Sequence, residues 1–283
     1  MTHDLILRRE RMSAAVQALG HTHASTGLDA DEEQARIALG HDAMDAALRG
    51  GLARGACHDL HAGSEADIMA ATGFALGLAA RAKAGFSKGG AIIRARQAFL
   101  DTEAGRIYPS GLVEFGINPA RVTLLLAKDA KDVLQVALEA ARCADVAVVL
   151  IELWGDARAL DLTASRRLAL AAREAGTCLL TLRVATEAQP SAAETRWRIR
   201  AAPSRAAPAN APGAPAFAVT LERSRAGVPE QTWQVEWSRE RGCFEPREAG
   251  DRINQASPLS RPVVPVFADR PAAPTIAPFR RAG

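Results

Sequence analysis

Short β-branched segments alternate with helical segments through the middle of the chain, and this alternation constrains the fold more than any other feature. The clearest segment, residues 146–151, is apolar and rich in valine, which is typical of a buried strand. Further strands are predicted at 56–60, 91–94, 122–126 and 177–182, and helices at 66–83, 129–142 and 161–176. This order predicts an α/β fold with a mostly parallel sheet covered by helices on both faces.

The pattern changes at Pro190, and 13 of the 15 prolines are found from this residue onward. Segments 196–200, 217–221 and 233–237 alternate at period two, which predicts antiparallel strands added to one edge of the sheet. The predicted organisation is an N-terminal amphipathic helix (1–20), a linker (21–38), a core with its C-terminal antiparallel strands (39–242), and a Pro-rich tail (243–283) for which we expect disorder.

Charge, cysteine spacing and hydropathy exclude several classes of protein. A net charge of +3 over 283 residues argues against a histone-like nucleic-acid binder. The cysteines form no C-x-x-C pair, which argues against a zinc ribbon or a disulfide scaffold. Cys57, His58 and His61 are close in sequence, but packing explains them more simply than a metal site, and no metal is expected. Without a signal peptide or an apolar stretch of membrane-spanning length, we expect a cytoplasmic protein with no membrane contact.

Four motifs resemble those of a known family. They are the segment 39–55 with its Gly-Gly-Leu-x-x-Gly turn, Gly105-Arg-Ile-Tyr-Pro-Ser-Gly111, Leu160-Asp-Leu-Thr-Ala-Ser-Arg-Arg-Leu168, and Thr195-Arg-Trp-Arg198. In order and spacing they resemble ImuA, a RecA-related accessory protein of bacterial translesion synthesis, over about residues 39–240. The resemblance implies a RecA-like core. It also implies work in error-prone bypass with a Y-family-like polymerase accessory protein (ImuB type), an alternative replicative polymerase and the RecA recombinase.

The segment that corresponds to a P-loop departs from the P-loop pattern. A P-loop needs G-x-x-x-x-G-K-[ST], whose backbone N–H groups and lysine hold the phosphates. Here Gly63 and Ser64 are followed by acidic residues, with Asp67 in the region of the lysine, and the next lysine is Lys83. This degenerate loop predicts that no nucleotide cofactor binds.

The acidic residues of a RecA-type ATPase are also in doubt. The metal-binding aspartate aligns with Leu150, with Glu152 two residues on, and the general base falls near Asp132. We therefore expect no catalytic residue and no enzymatic activity. Two alternatives stay open: a divergent RecA-like NTPase acting on DNA through Ser64, Asp132 and Glu152, and a cell-division inhibitor similar to SulA, which is related to the same fold.

Candidate contact residues lie in three places. Arg196, Arg198 and Arg200 alternate with Trp197, so one strand face presents arginines that suit DNA phosphates or a partner, or that simply keep an edge strand soluble. The N-terminal helix carries apolar residues for docking on a partner or on its own domain, and the tail carries apolar residues among prolines that suit a short docking motif. The docking candidates are Leu5, Met12, Val16, Val264 and Phe267.

Overall fold

The computed structural model describes residues 36–86, 90–155, 158–184, 189–205, 211 and 213–247. The predicted N-terminal helix, most of the predicted linker and the tail beyond residue 247 lie outside these ranges. With them lie the docking candidates Leu5, Met12, Val16, Val264 and Phe267, which therefore stay predictions. No helix in the described ranges is long and apolar enough to cross a membrane.

The described chain contains eleven strands and six α-helices, together with short 3₁₀ turns. In chain order they are β1 (Arg36–Ile37), α1 (Asp42–Ala47), β2 (Leu52–Ala53), β3 (Cys57–Ala62), α2 (Ile68–Ala84), β4 (Ala91–Gln97), α3 (Leu100–Glu103), α4 (Pro109–Glu114), β5 (Val122–Ala127), α5 (Ala130–Ala141), β6 (Val146–Trp154), α6 (Leu162–Ala175), β7 (Cys178–Val184), β8 (Thr195–Ala201), β9 (Ala216–Ser224), β10 (Gln231–Ser238) and β11 (Cys243–Pro246).

Nine of the described strands form one sheet in the order β11-β10-β9-β8-β3-β7-β6-β4-β5. The six strands from β8 to β5 are parallel, and β9, β10 and β11 continue the sheet in antiparallel fashion. Helix α2 covers one face and helices α5 and α6 cover the other. The predicted α/β fold, with a mostly parallel sheet and C-terminal antiparallel strands, is confirmed.

Strand β8 lies inside the sheet, although the sequence predicted an added edge strand. It is parallel to the central strand β3, with His58 opposite Thr195, and it is antiparallel to β9 on its other side. A period-two pattern reports which face of a strand is buried, but it does not report the neighbours of that strand. The prediction of an edge position for Arg196–Arg200 is therefore wrong.

The predicted helix ends agree with the cap geometry. The side chains of Asp129 and Asp161 accept hydrogen bonds from backbone N–H groups of the first turns of α5 and α6, at 3.0 and 2.7 Å. Gly176 ends α6 in the left-handed conformation with φ of 71°, where a residue without Cβ avoids a steric penalty.

Helix α2 is buried on most of its circumference, which accounts for its many alanines and glycines. Phe74 is fully buried and packs against the rings of Trp197, Phe217 and Phe244, with centroids 4.9 to 6.1 Å away. The N-terminal unit of β1, α1 and β2 contributes to the same core. A helix that is enclosed in this way needs small side chains where other elements approach its backbone closely.

The sheet extends beyond the predicted end of the core at residue 242. Strand β11 pairs with β10, the side chain of Phe244 is fully buried, and its N–H donates to the carbonyl of Leu39 at 3.0 Å. Four residues are too few to show a hydrophobic period, so the sequence assigned this strand to the tail.

Candidate functional site

The loop after β3 lies where ligands bind in open parallel sheets, at the carboxyl end of a central strand. The chain leaves β3 at Ala62, turns at Gly63 and Ser64, and forms one 3₁₀ turn, Glu65–Asp67, that continues directly into α2. The sequence predicted this loop as a degenerate P-loop, so its hydrogen bonds decide what it can hold.

Asp67 accepts hydrogen bonds from within this loop and from the neighbouring strand. Its Oδ2 accepts from the Ser64 hydroxyl at 2.7 Å, and its Oδ1 accepts from the backbone N–H of Ala201 at 2.8 Å. The N–H of Gly63 donates to the carbonyl of Ile199 at 2.7 Å. The Ser64 hydroxyl is therefore bound to a carboxylate, and the loop is connected to the end of β8. Ile68, which follows Asp67, has no hydroxyl at the position where a P-loop has its Mg²⁺-binding Ser or Thr.

The charge of the loop is unfavourable for phosphate. Burial opposes ionisation of Asp67, but the hydrogen bonds from Ser64 and Ala201, together with the nearby Arg200, outweigh it and hold the pKa of this carboxyl below its ordinary value. Asp67 is thus an anion at neutral pH. Lys83 lies fifteen residues beyond the start of α2, about 22 Å along the helix, too far to neutralise a phosphate at this loop.

Glu152, at the end of β6, has both carboxylate oxygens engaged by arginines. Its Oε1 accepts from Arg94 Nε at 2.6 Å, and its Oε2 lies 3.2 Å from Arg96 Nε. Glu152 and the two arginines are each less than 5% exposed. A carboxylate held by two guanidinium groups is a poor ligand for a metal ion, because both oxygens are already paired.

The three residues of the divergent-NTPase alternative are not brought together. Asp132 lies in the first turn of α5, directly after the edge strand β5. Ser64 follows β3, and β7, β6 and β4 lie between β3 and β5, so the two strands are about 19 Å apart at roughly 4.8 Å per strand. Among the described residues, no group of three or more His, Cys, Asp or Glu side chains could hold a metal ion.

His58 is a buried, neutral residue in a chain of hydrogen bonds. Trp197 Nε1 donates to the Thr195 hydroxyl at 2.7 Å, the hydroxyl donates to His58 Nδ1 at 2.8 Å, and His58 Nε2 donates to the Ala53 carbonyl at 3.0 Å. The donor and acceptor roles in this series of hydrogen bonds follow from the Ala53 carbonyl, which can only accept. Burial lowers the pKa of His58 to about 4.

The other two residues of that sequence cluster also have packing or pairing roles. His61 contacts Glu222 on β9 at 2.7 Å. The thiol of Cys57 is buried on the opposite face of β3 from His58, and burial raises its pKa well above the ordinary value. The side chains of His58 and Cys57 therefore diverge, as alternate residues of a strand must.

The arginines of β8 share one face, as their spacing predicted, and two of them are paired. Arg198 lies 2.6 Å from Glu222, and Arg196 contacts Ser191 at 3.3 Å and Asp59 at 3.6 Å. Arg200 is exposed beside Gly63. Trp197 points to the opposite face, where it is fully buried, so the prediction that it contributes to a contact surface is wrong.

A buried polar network around Asp59 was not predicted from the sequence. Asp59 accepts hydrogen bonds from Thr181 on β7 and Ser191 before β8, and Arg196 lies at ion-pair distance. The only sequence signal was a carboxylate in the middle of a strand, because its partners lie more than 120 residues away. The network connects three adjacent segments of the sheet, and both carboxylate oxygens of Asp59 accept hydrogen bonds within it.

Comparison with solved structures identifies a RecA-like fold. The crystal structure of the RadB recombinase matches with a TM-score of 0.50 and 19% sequence identity, covering 75% of this chain and 100% of that chain. No family model and no curated protein matches the chain. The similarity at this level of identity concerns the fold alone.

Proposed function

We propose that the chain is a non-catalytic docking protein of the ImuA type, acting in the cytoplasm in error-prone translesion synthesis after DNA damage. Its partners would be a Y-family-like polymerase accessory protein, an alternative replicative polymerase and the RecA recombinase. The RecA-like fold and the four motifs, in their order and spacing, support this proposal. The non-catalytic part is carried by one observation, the carboxylate of Asp67 inside the loop where a nucleotide would need positive charge.

Further support comes from the acids that an ATPase would need. Glu152 is held by Arg94 and Arg96, and Asp132 lies about four strand spacings from Ser64. We propose that this RecA-like core acts through its surface rather than through a reactive centre. Its partners would bind to exposed faces and to the segments that precede and follow the sheet.

Equilibrium binding of a fluorescent ATP analogue tests the non-catalytic part. We expect no saturable binding at micromolar concentrations with or without Mg²⁺. Mg²⁺-dependent micromolar binding would overturn this part and favour a divergent NTPase. In that case Asp67→Ala, which removes the carboxylate from the loop, should tighten binding because it removes repulsion, whereas the exposed Glu65→Ala is the matched control on the same turn.

Pull-down with the polymerase-like partner tests the docking part. A chain that ends after Arg247 keeps β11 paired in the sheet and removes Val264 and Phe267. We expect it to lose partner binding, and we expect Val264→Ser with Phe267→Ser in the full chain to lose it as well. Retained binding in both variants would remove the tail from the proposal, and the same design with Leu5, Met12 and Val16 tests the N-terminal helix.

DNA contact on β8 is confined to two residues in this proposal, Arg198 and Arg200. Both have acidic neighbours, Glu222 for Arg198 and Asp67 for Arg200, but Arg200 is exposed at the end of the strand. Fluorescence anisotropy with a labelled oligonucleotide at two salt concentrations measures the contact. Arg200→Ala should weaken binding and reduce the salt dependence by about one phosphate contact. Unchanged binding would exclude β8 as the site.

A further inference from the structure

The outward face of α6 carries three arginines around an exposed leucine. This face, which we call the α6 arginine face, consists of Arg166, Arg167, Leu170 and Arg173. At 100° per residue these positions fall within an arc of about 120° and within about 10 Å along the axis. The three arginines are exposed and the side chain of Leu170 is 59% exposed. Leu170 lies between the arginines on the helix surface, and the exposed Glu174 is the one acidic residue of α6 within the same arc, which leaves the face with a net charge of +2.

These arginines have no acidic partner among the described residues. Some other arginines at the surface do: Arg198 lies 2.6 Å from Glu222, and Arg241 lies 3.2 Å from Glu245. Guanidinium groups around an apolar side chain complement a segment that has several carboxylates and one apolar residue. The carboxylates can bind the guanidinium groups while the two apolar side chains pack together.

The chain itself contains such a segment close to its described part. Residues 28–33, the acidic segment, read Leu28-Asp-Ala-Asp-Glu-Glu33, with four carboxylates, no basic residue and one leucine. The segment lies outside the described ranges and ends three residues before β1 begins at Arg36. Its position relative to α6 is therefore limited by where the chain enters the fold.

The first described residue, Arg36, belongs to a β1–β2 unit that lies beside the carboxyl-terminal end of α6. Arg36 pairs with Ala53 in the β1–β2 ladder, and Gly55, two residues on, packs against α6. A Cβ built on Gly55 would lie 3.5 Å from the Cα of Arg173. An extended chain spans about 3.5 Å per residue, so the eight residues from Arg36 to Leu28 can cover about 28 Å. This is enough to reach the α6 arginine face.

We propose that the acidic segment docks on the α6 arginine face of the same chain, with Leu28 against Leu170 and the carboxylates on the three arginines. The individual ion pairs are weak at an exposed surface. The short tether makes the contact intramolecular and raises the effective concentration of the segment at α6. The inference does not depend on the proposed function, and it predicts a contact that salt weakens.

Arginine-specific labelling with phenylglyoxal, followed by mass spectrometry of the full chain, tests the contact. The variant Asp29→Asn, Asp31→Asn, Glu32→Gln and Glu33→Gln removes the charge of the acidic segment, and Leu28→Ser removes its apolar residue. At low salt we expect Arg166, Arg167 and Arg173 to react at least threefold more slowly in the native chain than in the neutral variant. Leu28→Ser should give an intermediate rate. Arg142, the exposed C-cap of α5, is the internal reference and should react equally in all chains.

Each outcome supports or overturns the proposal. Protection that disappears in 0.5 M NaCl supports it, because the pairs are exposed and screened. Equal labelling rates in the native chain and the neutral variant would overturn it. Protection that persists in the neutral variant and grows with protein concentration would also overturn it, and would assign the α6 arginine face to a second copy of the chain. Circular dichroism of each variant verifies that the fold is unchanged.

Discussion

Asp67 Oδ1 accepts a hydrogen bond from the backbone N–H of Ala201 at 2.8 Å, across 134 residues of sequence. This bond connects the loop after the central strand β3 to the last residue of the neighbouring strand β8. Together with the bond from Ser64, it satisfies both oxygens of a carboxylate that is 9% exposed. The loop of a RecA-like fold is here stabilised by an anion of its own, in place of the cation that a bound phosphate needs.

The loss of the Asp67 carboxylate should destabilise the fold. Asp67→Ala leaves the Ser64 hydroxyl and the Ala201 N–H without their acceptor, which we expect to lower the free energy of unfolding by about 1 to 3 kcal/mol. Urea denaturation measures the change. Glu65→Ala, an exposed acidic residue on the same turn, should change it by less than about 0.5 kcal/mol. Equal effects of the two substitutions would show that the carboxylate has no special role.

Gly51 should tolerate alanine much less than its neighbour Gly50. Both have positive φ, 116° and 105°, which alone strains an alanine by about 1 to 3 kcal/mol. A Cβ on Gly51 would also overlap the carbonyl oxygen of Ile37, whereas a Cβ on Gly50 meets nothing closer than 3.7 Å. In thermal denaturation, the Tm of Gly51→Ala should therefore be several degrees lower than the Tm of Gly50→Ala. The reverse order would contradict the close packing of this turn against β1.

Alanine substitutions at two helical glycines should change the stability of the fold in opposite directions. A Cβ on Gly77 of α2 would lie 2.5 Å from Phe244 Cζ and 3.1 Å from Trp237 Cε3, so the packed rings must move. Overpacking of this kind costs about 1 to 3 kcal/mol. Gly111 of α4 has no atom within 4 Å of the same position, and alanine there should add up to about 1 kcal/mol of helix propensity. Urea denaturation of both variants measures the sign of each change in the free energy of unfolding. An increase in Gly77→Ala would be inconsistent with the enclosure of α2.

Burial of His58 should make the fold sensitive to acid. The pKa of His58 is about 4 in the folded chain against an ordinary 6.5, so the unfolded chain binds more protons between these values. Stability therefore falls as the pH drops from about 6.5 to about 4, by up to about 3 kcal/mol from this group. Unfolding free energies measured across that range should decline less steeply in His58→Gln than in the native chain. Parallel curves would rule out this histidine as the cause.

Elements with a strong local pattern could be predicted from the sequence. Strand β6 was expected from the run Val146–Ile151, and its observed end at Trp154 lies three residues further. The helix caps Asp129 and Asp161 were predicted because a capping side chain and the backbone that it bonds are close in sequence. Strand β4 continues past Arg94 to Gln97, beyond its predicted end. Arg94 and Arg96 are charged, and their burial depends on Glu152 of β6, with Asp101 as a second partner of Arg96.

The candidate site was located by sequence but explained only by structure. The absence of a P-loop lysine was visible in the order of residues, as was the acidic character of Asp67. The bond from Ala201 to Asp67, and the pairing of Arg196 with the network around Asp59, depend on residues that are far apart along the chain. No local pattern encodes such partners.

The sequence by itself determined the fold class, the alternation of strands and helices, and the loss of positive charge after β3, because each of these depends on residues that are close along the chain. The tertiary structure decided that β8 lies beside β3 within the sheet, that Trp197 is buried, and that Phe244 completes the core around α2. The physical reason is that strand order and side-chain partners are set by long-range packing and hydrogen bonding. An inner strand and an edge strand can have the same local sequence pattern, so the pattern alone does not distinguish them.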